Sequence, residues 1–258
     1  MAIAIDLSGK TILLTGASKG IGAATAAILG EAGAHVVAHY GSDREGAEAA
    51  TAAIPPDRLL LVQADLADLD AVERLWTEAL AWRGRIDVLV NNAAVMDFSG
   101  SFAAPLETWD RVWDQALDVN VKAPARLMRN AVNHYLEVGG GAIITISSWA
   151  AQRGVTNPAT IAYGASKAAV RSATQSIARA YARDNILAYI VTPGVVRTRL
   201  SEQFAATQGG EEKISATLAN GKWVSPAELG NLVAFLASGA VPQMSGATID
   251  VNGASYVR

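Results

Sequence analysis

The sequence of 258 residues contains no cysteine and only three histidines. The absence of cysteine excludes disulfide bonds, thiolate nucleophiles and cysteine-ligated metals. The histidines and carboxylates show no clustered spacing of the kind that ligand sets require, so we predict no catalytic metal. Charged residues make up only 17% of the chain and its net charge is −3, so it lacks the basic surface that nucleic-acid binding needs.

Long apolar runs are also missing. No uninterrupted apolar stretch approaches the roughly 18 residues that a membrane-spanning helix needs, and no cluster of lysine and arginine indicates an anionic membrane. The opening residues, MAIAIDLSGK, lack the basic region and the apolar stretch of a signal peptide. We therefore expect a cytoplasmic protein, with neither membrane nor nucleic acid as a partner, whose 51% hydrophobic residues fill a large core.

What the chain does contain is an alternation of short β-branched runs with longer alanine-rich helical patterns. The short runs are apolar at nearly every position, as strands buried on both faces are. This alternation predicts an α/β fold in a single domain, 1–258, with a doubly wound parallel sheet of about seven strands flanked by helices. The predicted strands are 11–16, 35–40, 59–65, 86–93, 142–148, 186–194 and 247–253, and the predicted helices are 20–32, 43–53, 68–82, 107–136, 162–183 and 226–238.

One segment does not fit this alternation. Residues 199–223, RLSEQFAATQGGEEKISATLANGKW, fall between a predicted strand and a predicted helix. The glycine pair and the charges of this segment are typical of a mobile insertion. Because an insertion at the carboxyl end of a sheet can cover a ligand, we predict a substrate lid at about 199–223.

The stretch YGASK places Tyr163 and Lys167 four residues apart, on one face of a predicted helix. A phenol titrates near pH ~10 and a lysine ammonium near ~10.4, so neither carries protons readily at neutral pH. Held side by side, the ammonium favours the phenolate and lowers the tyrosine pKa. On these residues alone, the pair is either a tuned acid–base couple or two solvated side chains.

A glycine-rich stretch, TGASKGIG, follows the first predicted strand. Gly16, Gly20 and Gly22 permit a tight turn and a close approach of the backbone, and the next helix offers free N–H groups to a pyrophosphate. The spacing G-x-x-x-G-x-G differs from both the G-x-G-x-x-G fingerprint and the Walker loop. Its position after the first strand favours a nucleotide site over a plain strand–helix connection.

Six ordered features resemble the classical short-chain dehydrogenase/reductase family. They are T-G-x-x-x-G-I-G, NNAA at 91–94, Asn120, a serine after the fifth strand, Y-x-x-x-K and PG at 193–194. The resemblance implies a Rossmann-type fold, a nicotinamide cofactor and hydride transfer to or from a small-molecule carbonyl/secondary alcohol substrate. The chain is therefore predicted to be a ketone reductase/alcohol dehydrogenase. Ala94 departs from the family, which usually has glycine there.

The resemblance also assigns the catalytic roles. It makes Tyr163 the general acid for carbonyl reduction or the general base for alcohol oxidation, and it gives Lys167 a hydrogen bond to the nicotinamide ribose. Ser148 would polarise the substrate carbonyl, although the loop after Gly154 is longer than the family pattern. Asn120 would bind a water that connects Lys167 to solvent; the alternative is a buried helix asparagine satisfied by the backbone.

The charges around the second strand favour NADP(H) over NAD(H). A site selective for NAD needs a carboxylate at the end of this strand, and the chain has Tyr40 at that position. Lys19 and Arg44 would attract a 2′-phosphate, unless they are solvated surface charges, and His39 is a further candidate. We place Asp43 in the next helix. NAD(H) is kept as the alternative cofactor.

The remaining cofactor contacts follow from the resemblance. Asp65 and the backbone of Leu66 would bind the adenine, although Asp65 is equally suited to capping the next helix. Asn91 would contact the cofactor or brace the central strands, and Thr198 would reach the carboxamide. The predicted cofactor-binding residues are Gly16, Ser18, Lys19, Gly20, Ile21, Gly22, Tyr40, Ser42, Arg44, Asp65, Leu66, Asn91, Asn92, Ala93, Tyr163, Lys167, Pro193, Gly194, Val196 and Thr198.

Two other functions were weighed against carbonyl chemistry. An enoyl reductase of related fold would space its tyrosine and lysine more widely. A catalytically silent nucleotide-sensing protein should have lost the tyrosine, lysine or serine, and this chain keeps all three. The substrate stays open, but six residues are predicted to line an apolar pocket beneath the lid or to belong to the core: Trp149, Val155, Leu200, Phe204, Leu218 and Trp223.

The two longest predicted helices indicate a homotetramer. Small residues occur all round helix 162–183, which allows another helix to approach closely. Helix 107–136 adds the apolar residues Leu117, Val121, Leu127 and Met128. In the family that the chain resembles, these helices pair across a two-fold axis and the C-terminal region forms a second interface. Two such interfaces give a tetramer.

Overall fold

The computed structural model describes residues 5–257, in which seven strands form one parallel sheet. The strands are β1 (Thr11–Leu14), β2 (His35–Tyr40), β3 (Leu59–Gln63), β4 (Val88–Asn91), β5 (Gly141–Ile146), β6 (Ile186–Pro193) and β7 (Thr248–Val251). Their order across the sheet is β3-β2-β1-β4-β5-β6-β7, so the direction of winding reverses between β1 and β4. At such a reversal a crevice opens outside the carboxyl ends of the strands, where α/β proteins bind ligands.

Helices cover both faces of this sheet, which confirms the predicted α/β architecture. The α-helices of the described residues are α1 (Gly20–Glu31), α2 (Arg44–Thr51), α3 (Leu69–Arg83), α4 (Leu106–Leu117), α5 (Ala123–Val138), α6 (Ala150–Arg153), α7 (Ile161–Ala180), α8 (Arg199–Thr207), α9 (Glu211–Ser215) and α10 (Pro226–Ser238). Helices α1 and α10 supply side chains to the core on one face, and α3, α5 and α7 supply the other.

The alternation of side chains along each strand divides the core in two. In β1, Ile12 and Leu14 pack with α1 and α10, while Leu13 between them packs with α3 and α5. All three side chains are fully buried. Burial of one such side chain stabilises the fold by about 1.5–3 kcal/mol. The sheet is therefore a rigid platform whose carboxyl edge carries the loops.

Most predicted strands extend too far at their carboxyl ends. The predicted strand 11–16 ends at Leu14, and the predicted strand 59–65 ends at Gln63. Strands β4 to β7 end one or two residues early in the same way. After β1, β4, β5 and β6 the chain leaves the sheet to line the crevice, and it does so with small residues such as Gly16, Ala93, Ser147 and Gly194, which continue the pattern of a strand in the sequence.

The predicted helix 107–136 is instead two helices, α4 and α5, joined by a π-helical turn over Asp118–Lys122. Pro124 explains the interruption. A proline has no N–H, so the carbonyl of Asn120, four residues earlier, cannot make its usual α-helical hydrogen bond. Single π turns of this kind are frequent at functional sites.

The segment 199–223 contains α8 and α9 rather than an irregular loop. Gly209 and Gly210 separate the two helices with φ angles of +96° and +101°. Such angles strain any residue with a Cβ, so the glycine pair sets the reversal between the helices. The segment thus holds a defined shape beside the carboxyl edge of the sheet.

Candidate active site

The glycine-rich loop after β1 forms a cradle for an extended anionic group. Gly16 and Gly20 have φ angles of +72° and +55°. A Cβ added to Gly22 would lie 1.9 Å from the Gly16 carbonyl oxygen, so no other residue fits there. Helix α1 begins at Gly20, and Lys19, its N-cap residue, makes no side-chain capping bond. The free N–H groups at the start of α1 fit a pyrophosphate, so the loop suits a dinucleotide.

His39 supports this loop from below, a role that sequence reasoning missed. Its ring is buried, with 2% of its surface exposed. Nδ1 accepts a hydrogen bond from the Gly16 N–H at 3.1 Å, so Nε2 carries the proton and donates to the Ala64 carbonyl at 3.0 Å. Burial lowers the pKa of His39. The expectation that His39 offers positive charge to a 2′-phosphate is therefore wrong, because the ring is neutral and enclosed.

We expect acidification to weaken the folded state through His39. The pKa of His39 lies below its ordinary value of 6.5, so below about pH 6.5 the unfolded chain binds a proton that the folded protein does not. His39→Leu should lower the free energy of unfolding at pH 7.5 by about 1–3 kcal/mol, through the unpartnered Gly16 and Ala64 groups. Urea unfolding at pH 7.5 and 5.5 should give a smaller loss on acidification in the variant than in the wild type. Equal losses would contradict this role.

The residues expected at the 2′-position of the ribose form a paired cluster. Lys19 Nζ lies 2.6 Å from Asp43 Oδ2, and Arg44 Nε lies 2.7 Å from Glu48 Oε1. Asp43 accepts a hydrogen bond from the Gly46 N–H, which confirms its predicted place at the start of α2. Both cations therefore carry a carboxylate partner, which the sequence did not indicate.

Tyr40 and Ser42 flank this cluster. Tyr40 ends β2 and is buried, and its ring raises the pKa of Arg44 after the larger effect of Glu48. Ser42 is exposed. Neither residue lines the central cleft described below. They lie beside the cleft at the end of β2. In dinucleotide-binding folds, a residue at this position of the second strand contacts the ribose of the cofactor.

The predicted adenine-side residues adopt a tight turn. The Asp65 carboxylate accepts a hydrogen bond from the Ala67 N–H at 2.9 Å, and Leu66 is buried. Asp68, not Asp65, caps α3, because its side chain accepts from the Asp70 N–H. The Asp65 side chain is exposed and does not close the helix. The proposed capping role of Asp65 is therefore wrong, and its side chain faces solvent.

Two consecutive asparagines after β4 behave differently. The Asn92 amide nitrogen donates to the Thr15 carbonyl at 2.8 Å and to the Gly16 carbonyl at 3.1 Å. It thus fastens the glycine loop to the end of β4, and the Thr15 hydroxyl accepts from the Asn92 N–H on the same side. The Asn91 side chain is buried outside the cleft, and its amide has no hydrogen-bond partner among the described residues. Asn92, not Asn91, therefore braces the glycine loop against the central strands.

A cleft of about 420 Å³ opens at the carboxyl edge of the sheet, between the glycine loop and the ends of β5 and β6. It brings most of the predicted cofactor residues together. Those that line it are Gly16, Ser18, Lys19, Gly20, Ile21, Gly22, Asn92, Ala93, Tyr163, Lys167, Pro193, Gly194, Val196 and Thr198. Those outside it are Tyr40, Ser42, Arg44, Asp65, Leu66 and Asn91. The cleft has the size and the backbone lining of a dinucleotide site.

Tyr163 and Lys167 lie one turn apart on α7, and both line the cleft. Lys167 Nζ is 5.7 Å from the centre of the Tyr163 ring and donates a hydrogen bond to the Ile146 carbonyl at 2.8 Å. Burial lowers the pKa of Lys167 to about 8. Burial also raises the pKa of Tyr163, against the smaller opposing effect of its hydrogen bond with Ser148. The expectation of a lowered tyrosine pKa is not met, because burial of the hydroxyl is the larger effect.

Ser148 faces Tyr163 from the loop after β5. It is buried, hydrogen-bonds Tyr163, and accepts a hydrogen bond from the Ala150 N–H at 3.1 Å. Its neighbour Ser147 points elsewhere and donates to the Lys167 carbonyl at 2.8 Å. The hydroxyls of Ser148 and Tyr163 and the ammonium of Lys167 therefore lie together, held by the end of β5 and by α7.

Asn120, in the π turn, has a fully bonded side chain. Its amide nitrogen donates to the Val95 carbonyl at 2.9 Å and to Ser166 Oγ at 3.0 Å, and its oxygen accepts from the Val95 N–H at 2.8 Å. The residue joins α7 to the loop after β4. This side chain fits the alternative role of Asn120, a buried helix asparagine satisfied by the backbone, since two of its three bonds are to the Val95 backbone. Its backbone carbonyl, freed by Pro124, is the group left for a water.

A second cavity of about 400 Å³ adjoins the cleft and shares Ser148 and Tyr163 with it. The residues after Gly154 form one wall and the segment 199–223 forms another. Of the predicted apolar lining, Trp149, Val155, Leu200 and Phe204 are present. Leu218 and Trp223 instead pack with Ala205 and Ile214 in a small core.

Residues 5–257 lack two further classes of site or element. No group of three or more histidine, aspartate or glutamate side chains is arranged to hold a metal ion. No helix in the same range is long and apolar enough to cross a bilayer.

Comparison with known proteins identifies the family. A family model described as "Enoyl-(Acyl carrier protein) reductase" matches residues 16–254. The 3beta-hydroxysteroid dehydrogenase 1 of Eggerthella lenta is 34% identical over 251 residues, which cover 96% of this chain and 94% of the relative.

Two crystal structures share the fold and hold a nicotinamide cofactor. A 3-ketoacyl-(acyl-carrier-protein) reductase from Brucella melitensis, complexed with NADH, has a TM-score of 0.85 and 29% identity and covers 98% of this chain and 100% of its own. A candidate NAD(P)-dependent gluconate 5-dehydrogenase from Beutenbergia cavernae, with NADP bound, has a TM-score of 0.86 and 32% identity and covers 98% and 99%. With the site described above, these relatives show that the chain belongs to the classical short-chain dehydrogenase/reductase family and is an NAD(P)-dependent oxidoreductase.

Proposed function

We propose that the protein is an NADP(H)-dependent ketone reductase/alcohol dehydrogenase with Tyr163 as its general acid and base. One observation carries the proposal: the hydrogen-bonded hydroxyls of Tyr163 and Ser148 lie on the wall common to the cofactor cleft and the second cavity. A carbonyl oxygen held against both hydroxyls would leave its carbon facing the cleft. The nicotinamide, when bound, supplies or takes the hydride.

The chain's own groups handle the proton. In reduction, Ser148 donates a hydrogen bond to the carbonyl oxygen, and Tyr163 transfers its proton to that oxygen as negative charge develops. The ammonium of Lys167 stabilises the phenolate that remains. A water on the Asn120 backbone carbonyl would return a proton towards Lys167. In oxidation, the phenolate accepts the alcohol proton by the reverse path.

Burial raises the pKa of Tyr163, which opposes its proposed role as a base, and a bound oxidised cofactor would act in the opposite direction. The hydroxyl lies in a desolvated wall, which disfavours phenolate. The positive charge of the oxidised nicotinamide and a charged Lys167 both favour phenolate. We infer that Tyr163 becomes an effective base only when oxidised cofactor is bound, which couples proton transfer to the presence of the hydride acceptor.

An enoyl reductase is the second candidate, because the matching family model carries that description. The four-residue step from Tyr163 to Lys167 and the hydroxyl of Ser148 favour carbonyl chemistry. Two of the relatives are named as a 3-ketoacyl reductase and a hydroxysteroid dehydrogenase, and these names indicate carbonyl chemistry in those proteins.

Cofactor oxidation tests the choice. NADPH consumption is followed with a panel of neutral ketones and with a 2-enoyl thioester. Reduction of the ketones alone supports the proposal, and reduction of the enoyl thioester alone contradicts it. Tight NADPH binding with no turnover of either class would instead support a nucleotide-sensing protein.

We further propose that NADP(H) is preferred to NAD(H), and the prediction rests on Lys19. Its side chain is 59% exposed beside the glycine loop, so water screens its pairing with Asp43 and a 2′-phosphate can compete. Asp43→Asn keeps a good N-cap for α2 but removes the carboxylate. This variant should lower the KM for NADPH several-fold, and Lys19→Gln should raise it about tenfold.

Neither change should alter the KM for NADH by more than about twofold, because NADH has no 2′-phosphate. Lys10→Gln, a lysine outside the cleft, is the matched control. Tyr40→Asp provides a second route, since a carboxylate there repels the 2′-phosphate and accepts from the 2′-hydroxyl. A wild type that already prefers NADH would refute the proposed preference.

The segment 199–223 is proposed as the substrate lid. Helices α8 and α9 supply Leu200, Phe204, Lys213 and Ile214 to the second cavity. Arg197 before α8 pairs with Glu211 at the start of α9 at 2.7 Å, so an exposed ion pair ties α9 back to the chain that leads into α8. A segment tied in this way can move as one unit over a bound substrate.

A homotetramer is the proposed assembly. Leu127 and Met128, expected at the interface, are buried in the chain's own core, which weakens that part of the argument. A different apolar patch lies before and within α4: Phe102 and Leu106 are 74% and 73% exposed, and the Phe102 ring lies 5.1 Å from the Trp109 ring, tilted by 32°. Light scattering at micromolar concentration should give about four times the 26.8 kDa chain mass. A dimer would leave one interface, and a monomer would reject the assembly.

A further inference from the structure

The second cavity is lined by polar groups in one part and by apolar side chains in another. Its deep part holds the reacting pair, because Ser148 is buried there against Tyr163. Apolar side chains then line the middle: Met96, Trp149, Val155, Phe204 and Ile214. The volume of about 400 Å³ is enough for a small organic molecule that reaches well beyond its carbonyl group.

The mouth of this cavity carries two positive charges. Arg153 ends α6 and Lys213 lies in α9, and both side chains are exposed while lining the same space. They are 60 residues apart in the sequence, so only the fold brings them together. The described lining contains no aspartate or glutamate. This positive mouth belongs to a chain whose net charge is −3.

Neither cation is neutralised by a partner within residues 5–257. No ion pair there involves Arg153 or Lys213, although several other surface cations do pair. Glu211, two residues before Lys213, pairs with Arg197. Glu212 is exposed on the same helix and makes no ion pair with a described residue. The pair of charges is therefore available to a ligand.

Arg153 is also held in place. Its guanidinium carbon lies 4.7 Å from the centre of the Trp149 ring, a cation–π contact. Stacking of this kind restricts the side chain but leaves the N–H donors at the edge of the guanidinium free. No described acceptor takes a hydrogen bond from Arg153. A planar fork of unused donors matches the two oxygens of a carboxylate or phosphate.

We propose that the substrate carries an anionic oxygen group, carboxylate or phosphate, separated from the reacting carbonyl by an apolar segment. Arg153 and Lys213 bind the anionic group at the mouth, the apolar segment lies against the middle of the cavity, and the carbonyl reaches Ser148 and Tyr163. The inference rests on the proposed carbonyl reduction. It names the class of substrate that this cavity selects.

Binding of unreactive ligands tests the inference without turnover. Calorimetry on the NADPH-saturated enzyme compares linear carboxylates of four to ten carbons with the matching primary amides and alkyl phosphates. At least one anionic series should bind tenfold or more tightly than its amide, and the better of the two anions identifies the group. Equal affinities, or no binding of any anion, would overturn the inference.

Variants test whether the two cations cause the preference for anionic ligands. Arg153→Gln and Lys213→Gln should each reduce the ratio of anion to amide affinity by fivefold or more. Arg183→Gln and Lys222→Gln change exposed cations that do not line the cavity, and they serve as matched controls with an unchanged ratio. If the ratio of anion to amide affinity is unchanged in both cavity variants, or falls equally in the controls, the anion binds elsewhere.

A kinetic arm separates this inference from the proposed function. A keto acid and its methyl ester are compared at low salt by kcat/KM with NADPH. The acid should be preferred at least tenfold, with the loss in Arg153→Gln falling mainly on its KM. Reduction of the ester as fast as the acid would reject the anionic substrate and leave the ketone reductase standing. Failure of every carbonyl compound would reject the proposed function itself, while the calorimetry still decides the anion.

Discussion

Replacing Tyr163 with phenylalanine should lower kcat by about 10²–10⁴, the usual contribution of a positioned general acid. The variant loses only the hydroxyl that shares a hydrogen bond with Ser148 on the wall between the two cavities. The ring stays, so packing on α7 is kept. NADPH affinity, measured by the change in protein fluorescence, should stay within about twofold, because the glycine loop and the start of α1 that fit the pyrophosphate are unchanged.

Tyr181→Phe is the matched control for this change. Tyr181 follows α7 and lines neither cavity, so its variant should keep wild-type turnover. Turnover by Tyr163→Phe at the level of this control would remove Tyr163 as the proton donor. Lost NADPH binding in Tyr163→Phe would show that the residue holds the cofactor rather than the proton.

Replacing Lys167 with methionine should damage both rate and cofactor binding. The side chain is buried in the cofactor cleft, 5.7 Å from the Tyr163 ring, with its ammonium on the Ile146 carbonyl. Methionine fills a similar volume without charge, so the phenolate loses its nearest cation. We expect kcat to fall by about 10²–10³, as when one preorganised electrostatic donor is removed, and the KM for NADPH to rise.

The same variant makes a prediction about stability. The pKa of Lys167 is about 8 in the folded protein against an ordinary value of 10.5, so between these pH values the unfolded chain binds a proton that the folded protein lacks. The free energy of unfolding of the wild type should therefore rise relative to Lys167→Met as the pH increases from about 8 to 10.5. Urea unfolding of both proteins across this range measures the difference. Parallel pH profiles would contradict a buried, destabilised ammonium.

The alternation of strands and helices was readable from the sequence because it depends on local pattern. Strand β2 and helix α10 have the predicted bounds, His35–Tyr40 and Pro226–Ser238. Helical spacing alone put Tyr163 and Lys167 on one face, and glycine at position 22 is required by contact with a neighbouring backbone. These features are set by residues near one another in the chain.

The break in the predicted helix 107–136 was harder to foresee. Pro124 was visible in the sequence as a possible signal, but prolines are also tolerated in the first turn of a helix. Within the π turn, Asn120 hydrogen-bonds Val95 and Ser166 at once. Those partners come from a loop and from α7, far along the chain, and only packing defines their distance.

Charge partners and cavities were decided by the tertiary structure. From the sequence, His39 was a candidate for a positive charge. In the structure it is a buried, neutral ring that accepts a hydrogen bond from the Gly16 N–H, because β2 and the glycine loop lie side by side. Arg153 and Lys213 carry no shared sequence signal, and a parallel sheet brings their segments to one edge. The sequence by itself determined the family, through motifs that follow one another in a fixed order, and it placed Tyr163 and Lys167 on one helix face, through their four-residue spacing. Only the tertiary structure decided which charges are paired and which are free to bind, because that depends on distances between segments remote in the chain.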